Sequence, residues 1–323
     1  MKFAVGIWAY GKTGDRFLLD GYRDDTAFAE RVRAVSRNED VSAIELNYPG
    51  DVNADNASVV NDIVRDAGLA VAMVGVDLSG DRKWQCGSLS SISPEVRQEA
   101  LQYCIHTAEM ARSLDCDRIN LWLGQDGFDY CFQCDYTEAW ARLVDGISRL
   151  AMQVSDLKIC VEYKPKEPRT HSLVDSAAKT LLLCREVDKE NVGVTIDVGH
   201  SFNAGENVAE AACLLGNSLF HLHLNDNYRS WDDDLIVGSV HTIEYIELLY
   251  WLRRIGYNGY YSLDVFPYRE DPERVVAESI EFLKAASTVI DRIGMDKLAE
   301  FIQKDDVTEI LSLIRKTIFR SAS

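Results

Sequence analysis

The chain has 323 residues and a formal net charge of −18, which argues against a nucleic-acid partner, because phosphate binding needs clustered Lys and Arg. Its hydrophobic fraction of 47% is enough to bury a sizeable core, and no apolar run approaches the ~20 residues needed to cross a bilayer, so no membrane partner is expected. Residues 1–8 are interrupted by polar groups too soon for a signal peptide, so we expect a cytoplasmic protein.

In chain order, short β-branched or apolar runs alternate with longer amphipathic stretches. The expected strands are 3–8, 42–47, 69–76, 117–122, 158–163, 192–197, 218–224 and 260–264. Helical patterns fall near 25–37, 54–67, 94–113, 135–155, 173–187, 206–216, 241–256 and 270–291. Eight strand–helix pairs in sequence predict an α/β fold with a parallel sheet, closed by right-handed crossovers into a (β/α)8 TIM barrel. A doubly wound sheet is the runner-up, but Ala9-Tyr10-Gly11-Lys12-Thr13-Gly14 is not the GxGxxG turn it would carry. The barrel would occupy 1–291, leaving 292–323 as a C-terminal helical extension of one or two helices. Such an extension packs on its own barrel or on a neighbouring subunit, and we expect a homo-oligomer, a dimer or tetramer. The eight cysteines are scattered; Cys131 and Cys134 form a CxxC pair with no second pair or histidines close in sequence, so we read them as plain thiols rather than a zinc site.

Barrel chemistry gathers at the C-terminal ends of the strands. Strand five ends Ile159-Cys160-Val161-Glu162-Tyr163-Lys164-Pro165 and strand six ends Thr195-Ile196-Asp197-Val198-Gly199-His200. Strand seven runs Phe220-His221-Leu222-His223-Leu224-Asn225-Asp226, and strand eight ends Ser262-Leu263-Asp264-Val265-Phe266. The loop after strand seven holds Trp231-Asp232-Asp233-Asp234-Leu235. A lone Glu after a strand is usually a loop residue, and a lone His usually a satisfied core residue. Four consecutive strand ends with oxygen or nitrogen donors are another matter, because carboxylates that follow apolar runs must be paired or metal-bound. Side chains alternate with period two, so His221 and His223 both face the barrel interior, with His223 nearer the mouth. Asp232 and Asp234 share a face if their loop is locally extended. The donor set is carboxylate-rich, with imidazole and no sulfur, which favours Mg or Mn, tolerates Co, and suits Zn less.

These residues resemble the xylose-isomerase-like barrel superfamily, and more closely its two-metal ketol-isomerase branch than its epimerase branch. The run Glu162-Tyr163-Lys164-Pro165-Lys166-Glu167-Pro168-Arg169 is similar to a segment carrying a metal-binding Glu and a substrate-polarising Lys. Asp197-Val198-Gly199-His200 is similar to a motif whose acid bridges two metals and whose His binds the second. Asp232-Asp233-Asp234-Leu235 with Gly238 is similar to a second-metal segment. The resemblance is strongest over 158–268 and implies one site of Glu162, Asp197, His223 and Asp264, and another of Asp197, His200, Asp232 and Asp234. It further implies that Glu162, Lys164 and Asp264 are catalytic, and that an aldose and a ketose interconvert by metal-assisted passage of hydride from C2 to C1. Candidate sugar contacts are Trp8, Asn47, Trp122, Lys164 and His200, with Trp84 as another apolar wall. Asn47 stands about where xylose isomerases carry a ring-opening His, and Glu45 on the same face could bind sugar or act as a base. The main rival is a one-metal ketose epimerase using Glu162 and Asp264 as an acid–base pair. A DNA-repair endonuclease of this fold would need more histidines than the chain's six, and a basic face.

Overall fold

The computed structural model describes residues 1–319; the last four residues of the expected extension lie outside the described part. Eight strands close a barrel: β1 (Lys2–Gly6), β2 (Val41–Tyr48), β3 (Ala70–Val76), β4 (Arg118–Trp122), β5 (Lys158–Glu162), β6 (Val192–Asp197), β7 (Leu219–Leu224) and β8 (Tyr260–Leu263). Each strand pairs in parallel with its sequence neighbours, and β8 returns to β1. This is the expected (β/α)8 barrel. Helices cover the outer face, so the strands are buried on both sides and read as nearly continuous apolar runs. In β6, Val-Gly-Val-Thr-Ile-Asp, all six residues are buried.

The outer helices are α1 (Phe28–Ser36), α2 (Ala57–Asp66), α3 (Pro94–Ser113), α4 (Tyr136–Gln153) and α5 (Ala177–Val187). They continue with α6 (Val198–Asn203), α7 (Val208–Leu215), α8 (Thr242–Arg254) and α9 (Pro272–Ile293). Several starts follow from local chemistry. Ser93 Oγ accepts from the Val96 amide at 3.2 Å and Pro94 opens α3; Asp271 caps α9 in the same way through the Arg274 amide. Two further helices, α10 (Met295–Gln303) and α11 (Val307–Phe319), complete the described chain, and α11 packs against α9.

Three departures from the sequence expectation occur near the barrel mouth. The first strand stops at Gly6, and Ile7–Tyr10 turn into a 3-10 helix, which lifts Trp8 out of strand geometry. The fifth helix begins at Ala177 rather than 173, because Thr170–Ser172 pairs with Gly127–Phe128 and the Leu173 amide is spent on the Asp126 carbonyl at 2.9 Å. The short helix α6 was not expected at all; it starts because Asp197 Oδ1 accepts from the His200 amide at 2.9 Å. Among the described residues, no helix is long and apolar enough to cross a membrane.

Candidate metal centre

The strand ends bring together groups that are far apart in sequence. Asp197 and His223 are register partners across β6 and β7, Trp122 and Glu162 across β4 and β5, and Asp264 follows β8 directly. One donor atom from each of Glu162, Asp197, His223 and Asp264 lies within 4.8 Å of the others. A second set, Asp197, His200 and Asp232, meets the same limit, so Asp197 belongs to both. The loop carrying Asp232 is pinned at its base by two backbone hydrogen bonds between Asp226 and Leu235, 2.8 and 3.1 Å long, which fold it back over the mouth.

The histidine rings are held in defined orientations. His223 Nε2 lies 2.9 Å from Glu45 Oε2, while its Nδ1 is buried without a hydrogen-bond partner, 3.4 Å from Glu162 Oε1 and 3.2 Å from Asp264 Oδ2. His200 is turned the other way: Nδ1 lies 2.9 Å from the Tyr163 carbonyl, and Nε2 points to Asp232 Oδ2 at 3.2 Å. Asp232 Oδ1 is likewise buried with no partner. Unpartnered buried donors converging from carboxylate and imidazole are what a divalent cation requires, so both sets could hold one.

The carboxylates crowd one another. Burial pushes the Asp264 carboxyl up to about 7, with Asp197 and Glu162 adding to the rise while His223 opposes it. Burial likewise raises Asp197 to about 6, against the pull of His200. Burial, then Asp232, Asp264 and Asp197, hold Asp234 well above the carboxylate range. Burial also disfavours the charged forms of Glu162 and Asp232, but the imidazoles beside them win and both carboxyls titrate low. His200 is held at about 9, because Asp197 and Asp232 outweigh the cost of its burial.

Neighbouring polar groups fix these acids. Asn120 donates to Glu162 Oε2 and itself accepts from Thr195 Oγ1 at 2.8 Å. Asn225 Nδ2 donates both to Asp197 Oδ2 at 2.9 Å and to Asp234 Oδ1 at 3.0 Å. Trp8 Nε1 donates to Asp264 Oδ1 at 2.7 Å, so Trp8 contacts the cluster through its ring nitrogen. Lys164 is only 6% exposed; its ammonium is hydrogen-bonded to Glu167 and to Asp232 Oδ2 at 2.7 Å and lies 5.2 Å from the Trp122 ring centre.

Some expectations need correction. The loop is not extended at Asp234, whose φ is +48°; its carboxylate lies outside the donors that meet within 4.8 Å and accepts from the Asn225 amide that also donates to Asp197. Glu45 does not reach the mouth; it is fully buried under the site, between His221 and His223. Trp84 packs edge-on against Tyr103 of α3 with a ring separation of 5.4 Å, as a core residue. Asn47 is partly exposed near the end of β2, its side chain lying over Gly75, where a Cβ would come within 2.3 Å of Oδ1. Asn120 and Asn225 were missed. Asn225 could have been found, since it continues the period-two face of His221 and His223.

A closed parallel barrel with a carboxylate–imidazole cluster at its C-terminal mouth defines the class. Residues 34–286, well over half of the chain, match the family described as xylose isomerase-like TIM barrel, and the chain belongs to that family. Solved structures share the fold at low identity. The D-psicose 3-epimerase of Clostridium cellulolyticum H10, crystallised with D-tagatose, is 19% identical over 88% of this chain and 99% of its own, with a TM-score of 0.70. A D-tagatose 3-epimerase-like protein is 21% identical over 90% and 99%, with a TM-score of 0.71. The 3-keto-D-glucoside 4-epimerase of E. coli is 18% identical over 88% and 99%, with a TM-score of 0.65.

Proposed function

We propose that this protein is a divalent-metal-dependent sugar isomerase that interconverts an aldose and a ketose. The observation that carries this reading is the pair of donor sets joined at Asp197. Glu162, Asp197, His223 and Asp264 would hold one Mn or Mg ion, and Asp197, His200 and Asp232 a second, with Asp234 steadying the loop. Bound ions supply Lewis-acid polarisation of sugar oxygens and a lowered pKa for water. The chain's own part is to bind and orient. The Lys164 ammonium, fixed by Asp232 and Glu167, would donate to the sugar carbonyl oxygen, while Trp8 and Trp122 wall the reacting carbons from water. The hydrogen on C2 moves to C1 and a proton passes from O2 to O1, so the reaction balances without an outside oxidant or reductant.

The single-metal epimerase reading also has support. Asp264 is held near neutrality while Glu162 titrates low, an arrangement suited to one acid and one base across a ketose carbon, and the similar structures above carry epimerase names. A screen of aldoses deuterated at C2 and of unlabelled ketoses in D2O, with Mn or Mg added, decides between them. The isomerase reading expects deuterium retained at C1 of the ketose product. Unreacted aldoses, with a ketose inverted at a single carbon that takes up deuterium from solvent, would replace it with the epimerase.

Metal binding should also depend on pH in a defined direction. In the metal-free protein Asp264 and Asp197 titrate near 7 and 6, above their unfolded values, so folding takes up protons there and stability falls as pH rises from about 4 to 7. His200, raised to about 9, adds stability below about 6.5 that is lost as pH rises through 9. A cation replaces those protons. The rise in Tm on adding saturating Mn to chelated protein is therefore expected to be larger at pH 8 than at pH 6. Equal shifts at both values would contradict ion binding at these carboxylates.

A further inference from the structure

Glu45 sits on β2, fully buried inside the barrel, and each of its carboxylate oxygens meets a different imidazole of β7. Oε1 lies 2.7 Å from His221 Nε2 and Oε2 lies 2.9 Å from His223 Nε2. The two rings share the interior face because they are two residues apart on a strand, and Glu45 reaches them from across the barrel. An ionised carboxylate can only accept, so the Nε2 of each ring carries a hydrogen and donates it. That leaves His223 Nδ1, the unpartnered buried nitrogen facing Glu162 and Asp264.

We propose that Glu45 is a positioning residue that sets His223 in the Nε2–H tautomer and thereby presents Nδ1 as a donor to the first cation set. This rests on the metal reading given above. Glu45 touches no reacting atom; it acts through the ring of His223. The second set uses the opposite ring nitrogen, with His200 held through Nδ1 by the Tyr163 carbonyl and facing Asp232 through Nε2. Each ligand nitrogen is thus selected by the partner on the far side of its ring. A carboxylate partner also raises imidazole basicity, so Glu45 contributes affinity as well as orientation at the first set.

Glu45→Gln keeps the shape, removes the charge and replaces one acceptor with a donor, so one of the two rings must move its hydrogen to the other nitrogen. Mn titration of the full chain followed by EPR is expected to show the first-set affinity reduced by about 10–100-fold, with the second binding step little changed. An unchanged first step in a variant that unfolds at the wild-type temperature overturns the inference. Ring 15N spectra of the Mg-loaded wild type give a measurement that does not depend on the variant folding. The expected result is a hydrogen on Nε2 alone for His223 and on Nδ1 alone for His200; a hydrogen on His223 Nδ1 overturns the assignment to Glu45. Failure of the wild type to bind Mn would refute the metal reading itself, whereas bound Mn with a hydrogen on His223 Nδ1 would refute the role of Glu45 alone.

Discussion

Replacing Asp197 with Asn is expected to abolish turnover, lowering kcat by about three orders of magnitude or more, and to reduce metal occupancy at both donor sets at once. Asp197 is the only residue shared by the Glu162–His223–Asp264 set and the His200–Asp232 set, so one lost charge is felt twice. A single ion supplies several kcal/mol of charge stabilisation in the transition state, and each ~1.4 kcal/mol is tenfold in rate. Asn also cannot reproduce the hydrogen bonds. Oδ1 accepts from the His200 amide and Oδ2 from the Asn225 amide, so an NH2 group in either place faces a donor. The carboxamide oxygen can keep only one of these two bonds, costing about 1–3 kcal/mol of stability for the donor left unsatisfied. Activity assays, metal analysis and thermal unfolding of the variant check all three effects. Unchanged turnover would refute the bridging role.

Replacing Asp232 with Ala tests the second set alone. It removes a donor that also holds Lys164 Nζ at 2.7 Å and lies 3.2 Å from His200 Nε2. The expected outcome is a fold that survives, a first set that still binds Mn, and a loss in kcat of about two to three orders of magnitude from the missing ion and the freed lysine. Asp234→Ala should do less to metal content, because that carboxylate is turned to Asn225 and lies outside the second set. Equal loss of metal in the two variants would contradict this division of roles. Metal content and steady-state rates measured side by side distinguish them.

The barrel was legible because its signal is repetitive. Eight buried strands separated by amphipathic helices leave little room for another architecture, and β6 matches its expected bounds of 192–197. The first set was legible for a related reason: its ligands lie at or within two residues of strand ends, where the pleat fixes which way a side chain points. Legibility fell where loops decide direction. The course of residues 231–235 depends on the backbone bonds between Asp226 and Leu235 and on the left-handed turn at Asp234, and periodicity reports neither. Helix α6 escaped notice because its six residues are too few to show a helical period, although Asp197 three residues before His200 is a capping signal. Glu45 illustrates a third kind of limit. Its side of β2 could be read from the sequence, but its meeting with His221 and His223 depends on barrel closure, which joins residues 176 and 178 positions apart.

In the proposed centre two cations share Asp197. The most direct measurement is Mn content per chain, determined by elemental analysis after equilibration with excess Mn and removal of free ion. Two ions per wild-type chain and one in Asp232→Ala are expected. A single ion in the wild type that persists in Asp232→Ala would contradict the two-ion isomerase and favour an epimerase, and no ion at all would contradict a metalloenzyme.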